Sequence, residues 1–227
     1  PVRIPTTGKR RATYLTPPGF EYFESLVSPD GRWIAATRQL DDASWGETTG
    51  LVVFPARGGA VIERATELDR SVGNLTWSAD SSTVYFTAED RGDNGIYKVD
   101  AVKGTARRIV SGRRVVLGYT VADNNRIAFT AHTPDGPPDV HVCEANGRRE
   151  RAITNLNKDW RATHAIATFE EVWHTAPDGR QIQGWLALPP GTSRRGVKRP
   201  LVLNMHGGPW VMWGPSVPEV WHEMQVH

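Results

Sequence analysis

Leu201-Val202-Leu203-Asn204-Met205-His206-Gly207-Gly208-Pro209 is the stretch that says most about the fold of this 227-residue chain. Its short apolar run, entered from Pro200 and ended by two glycines, predicts a buried strand that breaks into a tight loop. Glycines let backbone N–H groups point into an open site because no Cβ stands in the way. Such donors stabilise charge that develops on a carbonyl oxygen, so the loop is predicted to form part of an oxyanion hole.

Upstream of residue 155 the sequence contains three copies of one repeat. Each copy is marked by an aspartate, and the three aspartates, Asp30, Asp80 and Asp123, lie 50 and 43 residues apart. One apolar run precedes each aspartate and three follow it, with a Gly-containing turn before the last run. Four short strands separated by turn residues predict an antiparallel propeller blade, and variable spacing fits blades with loops of different length.

The aspartates of the repeat are predicted to shape turns and not to catalyse. In Ser28-Pro29-Asp30-Gly31 the proline presets φ, the aspartate can bond the local backbone and the glycine tolerates a positive φ. This is ordinary hairpin chemistry, which accounts for the residue types without any catalytic role.

Residues 7–16 resemble the closing run of the copies that follow. The chain is therefore predicted to contain the tail of one blade and three further blades. Propellers close with four to eight blades, so the remaining propeller blades are expected as partners outside this chain. Open blade edges favour association, including a homo-oligomer.

Beyond residue 155 the repeat stops and a different pattern begins. Residues 157–161 are polar and are predicted to form a linker. Two predicted strands, at 168–174 and 181–188, flank Asp178-Gly179, a dipeptide that is typical of a hairpin turn. A basic loop follows, and the apolar run that begins at Leu201 comes after it.

The order of these features resembles the prolyl oligopeptidase family of serine peptidases, especially its acylaminoacyl-peptidase-like branch. The features are aspartate-turn blades, a hairpin that ends in Leu188-Pro189-Pro190-Gly191, a Lys/Arg-rich loop and His206-Gly207-Gly208-Pro209. The resemblance implies that this chain is mainly β. Antiparallel β-propeller blades would occupy residues 1–160, and the first strands of an α/β-hydrolase domain would occupy residues 161–227.

The resemblance also implies a function, which is hydrolysis of peptides through an acyl-enzyme intermediate. The backbone N–H of Gly208, with that of Gly207 as the second choice, would form half of the oxyanion hole, and His206 and Pro209 would support the loop. The Ser-Asp-His triad is expected beyond His227, so the chain alone is expected to be inactive. Peptide substrates and the missing C-terminal catalytic portion are the expected partners.

The sequence also contains a serine in a setting that partly resembles the nucleophile elbow of hydrolases. Gly214-Pro215-Ser216-Val217-Pro218 has proline where the G-x-S-x-G elbow needs its second glycine, so Ser216 is expected to be a loop serine. Trp210, Trp213 and Trp221 follow the glycine loop and would either line a substrate pocket or pack this region against the propeller.

Two other functions stay open at this point. One is an esterase or amidase that uses the same machinery on small acyl substrates. The propeller disfavours it, because a filter for peptides is superfluous for small esters. The other is a non-catalytic propeller that serves as a protein-binding module. The hairpin and His206-Gly207-Gly208-Pro209 disfavour that alternative, since a pure propeller has no need of them.

Composition disfavours several further classes of protein. Net charge is +2, and the arginine pairs are scattered, so a nucleic-acid interface is not expected. No apolar stretch approaches the roughly 20 residues of a membrane span. Cys143 is the only cysteine, which excludes an internal disulfide and favours packing within a strand. The histidines lack ligand spacing, so neither a metal nor another cofactor is expected.

Overall fold

Short antiparallel strands dominate the computed structural model, which confirms that the chain is mainly β. The structure describes residues 1–4, 11–44, 47–195, 197–208 and 211–226. At the start, β1 (Val2–Arg3) pairs with β2 (Thr13–Tyr14). Strand β2 lies within residues 7–16, the predicted blade tail, of which residues 7–10 fall outside the described part of the chain.

The three sequence repeats fold into three four-stranded antiparallel units, and a parallel pairing of Val115 with Asn94 joins the second and third units into one sheet. The first unit contains β3 (Phe20–Val27), β4 (Trp33–Leu40), β5 (Gly50–Pro55) and β6 (Ile62–Arg64). The second contains β7 (Val72–Trp77), β8 (Thr83–Asp90), β9 (Asp93–Asp100) and β10 (Arg107–Val110). The third contains β11 (Val115–Val121), β12 (Arg126–Thr133), β13 (Gly136–Glu144) and β14 (Arg151–Ala152). A 3₁₀ turn at Thr66–Leu68 lies between the first two units. The first strands of neighbouring units contact one another, as the inner strands of propeller blades do.

Apolar side chains between the units form the core. Residues 51–54 of β5 and residues 84–88 of β8 are buried without alternation, because each strand packs on both of its faces. Phe86 belongs to the cluster between the first and second units, and Phe129 to the cluster between the second and third. Cys143 lies in the second cluster on β13, which agrees with its predicted packing role.

Two of the three repeat aspartates make the same turn. The Ser28 hydroxyl donates to the Asp30 carboxylate over 2.6 Å, and the Ser78 hydroxyl donates to that of Asp80 over 2.5 Å. These bonds, together with backbone N–H donors, hold the pKa of each carboxyl below its ordinary value, for Asp30 at about 2. The third turn, at Asp123, is one residue shorter and starts at an alanine, Ala122, whose N–H donates to the Arg126 carbonyl.

The region after residue 155 contains two helices and the predicted hairpin. The elements are α1 (Lys158–Thr163), β15 (Thr168–Thr175), β16 (Gln181–Leu188) and α2 (Pro218–Val226). The hairpin is confirmed, with Asp178 accepting the Arg180 N–H over 3.1 Å in its turn. The predicted linker at 157–161 is wrong in its local structure, because α1 forms there.

Tertiary contacts explain the helix that the polar sequence did not predict. Arg161 of α1 donates to the Asp139 carboxylate on β13 over 3.1 Å. Trp160 packs on Trp221 of α2, with ring centroids 5.9 Å apart. A segment of six residues is too short for its pattern to be informative, so these contacts select the helix.

The predicted buried strand at 201–203 is also wrong. Leu201, Val202 and Leu203 are 77%, 72% and 75% exposed, and residues 201–208 contain no strand. A strand needs partners for its backbone N–H and C=O groups, and none of the described strands pairs with this segment. The α/β-hydrolase part of the fold therefore stays a prediction.

Because successive strands run in opposite directions, the turns of each unit lie at two ends, and only one end faces the hairpin and α2. In each unit the turn between the first and second strands lies at one end, and the turn between the second and third strands lies at the other. We call the latter the upper end; it carries residues 91–92 and 134–135. The hairpin and α2 contact these two turns, so the aspartate turns lie at the end remote from them. Within the parts of the chain that the structure describes, neither helix is long and apolar enough to span a membrane.

Candidate active site

The candidate oxyanion loop is exposed, and one hydrogen bond orders its central peptide. The His206 Nδ1 lies 2.8 Å from the carbonyl oxygen of Gly207, a bond in which the Nδ1–H donates. In a planar trans peptide the N–H points opposite to the carbonyl oxygen. A bond that holds the Gly207 carbonyl therefore also directs the N–H of Gly208, which is the predicted first-choice donor.

The two glycines of the loop differ in what their backbones require. Gly208 has a φ of +140°, and a Cβ built on it would lie 2.9 Å from the Cβ of Val211. A side chain at Gly208 would therefore be both strained and obstructed. A Cβ on Gly207 would have none of the described residues within 4 Å. Pro209, the other predicted support of the loop, lies outside the described residues, and the catalytic roles of Gly207 and Gly208 stay predictions.

A tryptophan on the far side of the loop packs on His206. The rings of His206 and Trp213 are stacked, with centroids 4.7 Å apart and an angle of 12° between their planes. Stacking of this kind fixes the plane of the imidazole, and with it the direction of the Nδ1–H. The sequence had left Trp213 between a pocket and a packing role.

Residues on either side of Trp213 contact the second propeller unit. The Gly92 N–H donates to the Met212 sulfur over 3.1 Å. A Cβ on Gly214 would lie 2.4 Å from the carbonyl oxygen of Gly92, so only glycine allows this approach. The segment that follows the oxyanion loop is thus held against the upper-end turn at residues 91–92.

The hairpin packs on the same turn. A Cβ on Gly92 would lie 2.7 Å from the Trp185 ring. The Arg113 guanidinium carbon lies 4.3 Å from the centre of that ring, and its nitrogens bind Asp93 over 3.1 Å and Glu171 over 3.0 Å. Sequence reasoning missed both Gly92 and Arg113, since a glycine turn and an arginine pair are ordinary features of a blade.

The two carboxylates that bind Arg113 differ in environment. Hydrogen bonds from Gln183, Arg113 and Trp173 hold the pKa of Glu171 below its ordinary value. Burial raises the pKa of Asp93, and this effect outweighs the attraction of Arg113. Arg113, Arg108 and the Arg114 N–H each favour the charged form of Asp93 and so offset part of the effect of its burial.

Of the two roles considered for the tryptophans, a substrate pocket or packing against the propeller, Trp221 has the packing role. It is 8% exposed and donates its indole N–H to the Pro134 carbonyl over 2.9 Å. Its ring meets the His132 ring edge-on, with centroids 5.3 Å apart. Trp210, the third tryptophan of the predicted cluster, lies outside the described residues.

Ser216 lies in a position that supports its interpretation as a loop serine. It is fully buried, and its hydroxyl has no hydrogen-bond partner among the residues that the structure describes. Burial lowers the pKa of His132, which lies near Ser216. A substrate cannot reach a hydroxyl with no exposed surface, so Ser216 cannot act as a nucleophile in this arrangement. The described residues also contain no group of three acidic, histidine or cysteine side chains that could hold a metal.

The chain combines propeller-type blades, an Asp-Gly hairpin that contacts their upper end and a His-Gly-Gly loop. Over 151 residues, 66% of the chain, the sequence is 28% identical to the uncharacterized peptidase YuxL of Bacillus subtilis. Over 182 residues, 80% of the chain, it is 25% identical to dipeptidyl-peptidase 5 of Porphyromonas gingivalis. A solved acylaminoacyl peptidase, in complex with Z-Gly-Gly-Phe-chloromethyl ketone, matches 90% of the chain with a TM-score of 0.73 and 22% identity.

The curated relatives are peptidases, which agrees with the resemblance to the prolyl oligopeptidase family. The likeness to the solved acylaminoacyl peptidase concerns the fold alone, and it supports the mainly β, antiparallel architecture. No family model matches the chain. The chain spans 22% and 26% of the lengths of the two curated relatives and 30% of the solved chain.

Proposed function

We propose that this chain is part of a serine-type peptidase that hydrolyses peptides through an acyl-enzyme intermediate. In this proposal residues 1–160 belong to the propeller, and residues 161–227 open an α/β-hydrolase domain. The propeller restricts access to the site, so peptides are substrates and folded proteins are not. The Ser-Asp-His triad comes from the portion of the protein that the relatives have in addition to this region.

The ordered Gly207–Gly208 peptide is the observation that carries the proposal. His206 directs the Gly208 N–H by binding the carbonyl of the same peptide, at 2.8 Å. A preorganised N–H of this kind stabilises the oxyanion of a tetrahedral intermediate, and loss of one such donor lowers kcat by about 10²–10³-fold. Peptidase relatives favour peptides as the acyl donors over small esters.

The test uses the complete polypeptide that contains this chain. It is incubated with a fluorophosphonate probe and with p-nitroanilides of an N-acylated amino acid and of a dipeptide. These two substrates follow the names of the relatives. We expect probe labelling and release of p-nitroaniline from at least one of them, and neither from residues 1–227 alone.

Two results would contradict the proposal. Hydrolysis of p-nitrophenyl acetate without hydrolysis of any peptide would favour the esterase or amidase alternative. Absence of probe labelling together with retained protein binding would favour the non-catalytic module.

A substitution tests the oxyanion role directly. Gly208→Ala places a Cβ 2.9 Å from Val211 and should lower kcat by about 10²–10³-fold, because the loop must move. Gly191→Ala is the control, since Gly191 also has a positive φ of +70° but faces open space. The control should keep the activity of the unaltered enzyme.

A further inference from the structure

Gly92 is the point at which three segments of the chain meet. Its φ is +80°, and a Cβ on it would lie 2.7 Å from Trp185 of the hairpin. Its N–H donates to Met212, and its carbonyl and Cα lie where a Cβ on Gly214 would stand, at 2.4 Å and 2.8 Å. The upper-end turn of the second unit is therefore in close contact with both the hairpin and the segment after the candidate oxyanion loop.

A continuous line of contacts runs from this turn to the candidate oxyanion donor. Met212 and Gly214 rest on Gly92 and flank Trp213 on both sides. The Trp213 ring stacks on His206 at 4.7 Å, and His206 holds the carbonyl of Gly207 at 2.8 Å. Each contact in the line restricts the next group, and the last one directs the N–H of Gly208.

We propose that Gly92, a residue of the propeller, is a positioning residue for the oxyanion loop and acts through Trp213 and His206. The inference rests on the proposed function, because it takes the Gly208 N–H to be the catalytic donor. It gives the upper-end turn at residues 91–92 a positioning role in catalysis, in addition to any role of the propeller in restricting access. Gly92 touches neither substrate nor reacting atoms, and its effect is confined to the orientation of the loop.

Arg113 keeps the turn in place for this role. It binds Asp93, the residue after Gly92, and it also binds Glu171 and stacks on Trp185 of the hairpin. Arg113 binds one side of the turn, and Gly92 contacts both Trp185 and Gly214, so the turn has few alternative positions. These contacts therefore also fix the position of the candidate oxyanion loop, although residues 201–208 are exposed.

The experiment compares Gly92→Ala with Gly104→Ala in the complete polypeptide. Gly104 belongs to the same unit and has a nearly equal φ of +76°, but a Cβ on it meets nothing within 4 Å. The comparison therefore separates displacement of the turn from left-handed strain. Hydrogen–deuterium exchange of the peptide that covers residues 204–214, and the kcat and KM for a p-nitroanilide, are measured for each protein.

For Gly92→Ala we expect faster exchange in this peptide and a kcat lowered by about 10-fold with KM unchanged. The loss should be smaller than the roughly 10²–10³-fold expected for Gly208→Ala, because Gly92→Ala displaces the donor only indirectly, through Trp213 and His206. Gly104→Ala should change neither quantity. Trp213→Leu should reproduce the effect of Gly92→Ala, and Trp213→Phe, which keeps an aromatic ring, should restore most of the activity.

The possible failures are distinguishable. Unchanged exchange in both Gly92→Ala and Trp213→Leu would overturn the positioning role whether or not the protein is a peptidase. Faster exchange with an unchanged kcat in an active enzyme would also overturn it. An unaltered polypeptide that neither labels with the fluorophosphonate nor cleaves peptides would overturn the proposed function, and the positioning role would fall with it.

Discussion

Arg113, between the second and third propeller units, and Glu171, on the hairpin, form an ion pair whose nitrogen and oxygen lie 3.0 Å apart. The two residues are 58 positions apart in the sequence. The same guanidinium binds Asp93 and covers the Trp185 ring. One side chain thus links the propeller to the hairpin, which precedes the candidate site in the sequence.

Removal of Arg113 should weaken this link. Arg113→Ala is expected to lower the free energy of unfolding by about 1–2 kcal/mol, since a partly exposed ion pair contributes about 0.2–1 kcal/mol and a cation–π contact about 0.5–1 kcal/mol. Urea unfolding followed by tryptophan fluorescence measures the change. Arg180→Ala is the control, because its partner Asp178 lies in the same turn, and it should change stability by less than about 0.5 kcal/mol. Equal effects of the two substitutions would contradict the linking role of Arg113.

A second prediction concerns the joint between the first and second units. Trp77 donates its indole N–H to the Leu26 carbonyl over 3.0 Å and is 8% exposed. Trp77→Phe should lower the free energy of unfolding by about 1–3 kcal/mol, because a partly buried carbonyl loses its donor. Trp173→Phe removes an indole N–H that binds an exposed carboxylate, on a ring that is 48% exposed. If Trp173→Phe lowers the free energy of unfolding at least as much as Trp77→Phe in the same urea titration, the Trp77–Leu26 hydrogen bond does not stabilise the joint as predicted.

The turn at Asp30 gives a prediction about pH. The Ser28 hydroxyl is the largest cause of the lowered pKa of Asp30, which is about 2. A carboxyl whose pKa is lower in the folded state stabilises the fold above its unfolded pKa of about 3.9. That contribution is lost as the pH falls from about 4 towards 2.

Ser28→Ala should raise the pKa of Asp30 towards its ordinary value and move this loss of stability to higher pH. The carboxyl carbon shift of Asp30, followed by NMR from pH 5 to pH 2, measures the change. Ser193→Ala serves as the control, because the Ser193 hydroxyl bonds a backbone carbonyl outside the propeller. A pKa of Asp30 that is the same in all three proteins would show that the hydroxyl is not its cause.

Local signals explain why much of the fold could be predicted from the sequence. The same Asp-Gly-Arg turn occurs in the first unit and in the hairpin, and both copies make the same bonds. The Arg32 Nε binds Asp30 over 2.7 Å, and the Arg180 Nε binds Asp178 over 2.7 Å. Such turns depend on residues two positions apart, so they are visible without knowledge of the rest of the chain.

Features that depend on distant partners could not be predicted. The first strand of every unit has a bulge, at Tyr22/Ser25, Gly73/Thr76 and Val116/Gly118, and no shared residue type marks it. The strand expected at 201–203 is absent because an apolar pattern does not supply a pairing partner. The line of contacts from Gly92 to His206 joins residues more than a hundred positions apart, which sequence patterns do not reveal.

The last prediction concerns Cys143, which tests how tightly the second and third units pack. The thiol is 4% exposed, and burial raises its pKa to about 11. At pH 8 a thiol with this pKa has a thiolate fraction about 10²-fold lower than that of an ordinary cysteine with a pKa of about 8.5. Reaction with Ellman's reagent should therefore be at least about 10²-fold slower in native buffer than in denaturing urea.

Since Cys143 is the only cysteine of the chain, the signal is unambiguous for residues 1–227. Fast, stoichiometric reaction in native buffer would mean that the cluster around Phe129 opens readily, and the packing described for these two units would be wrong.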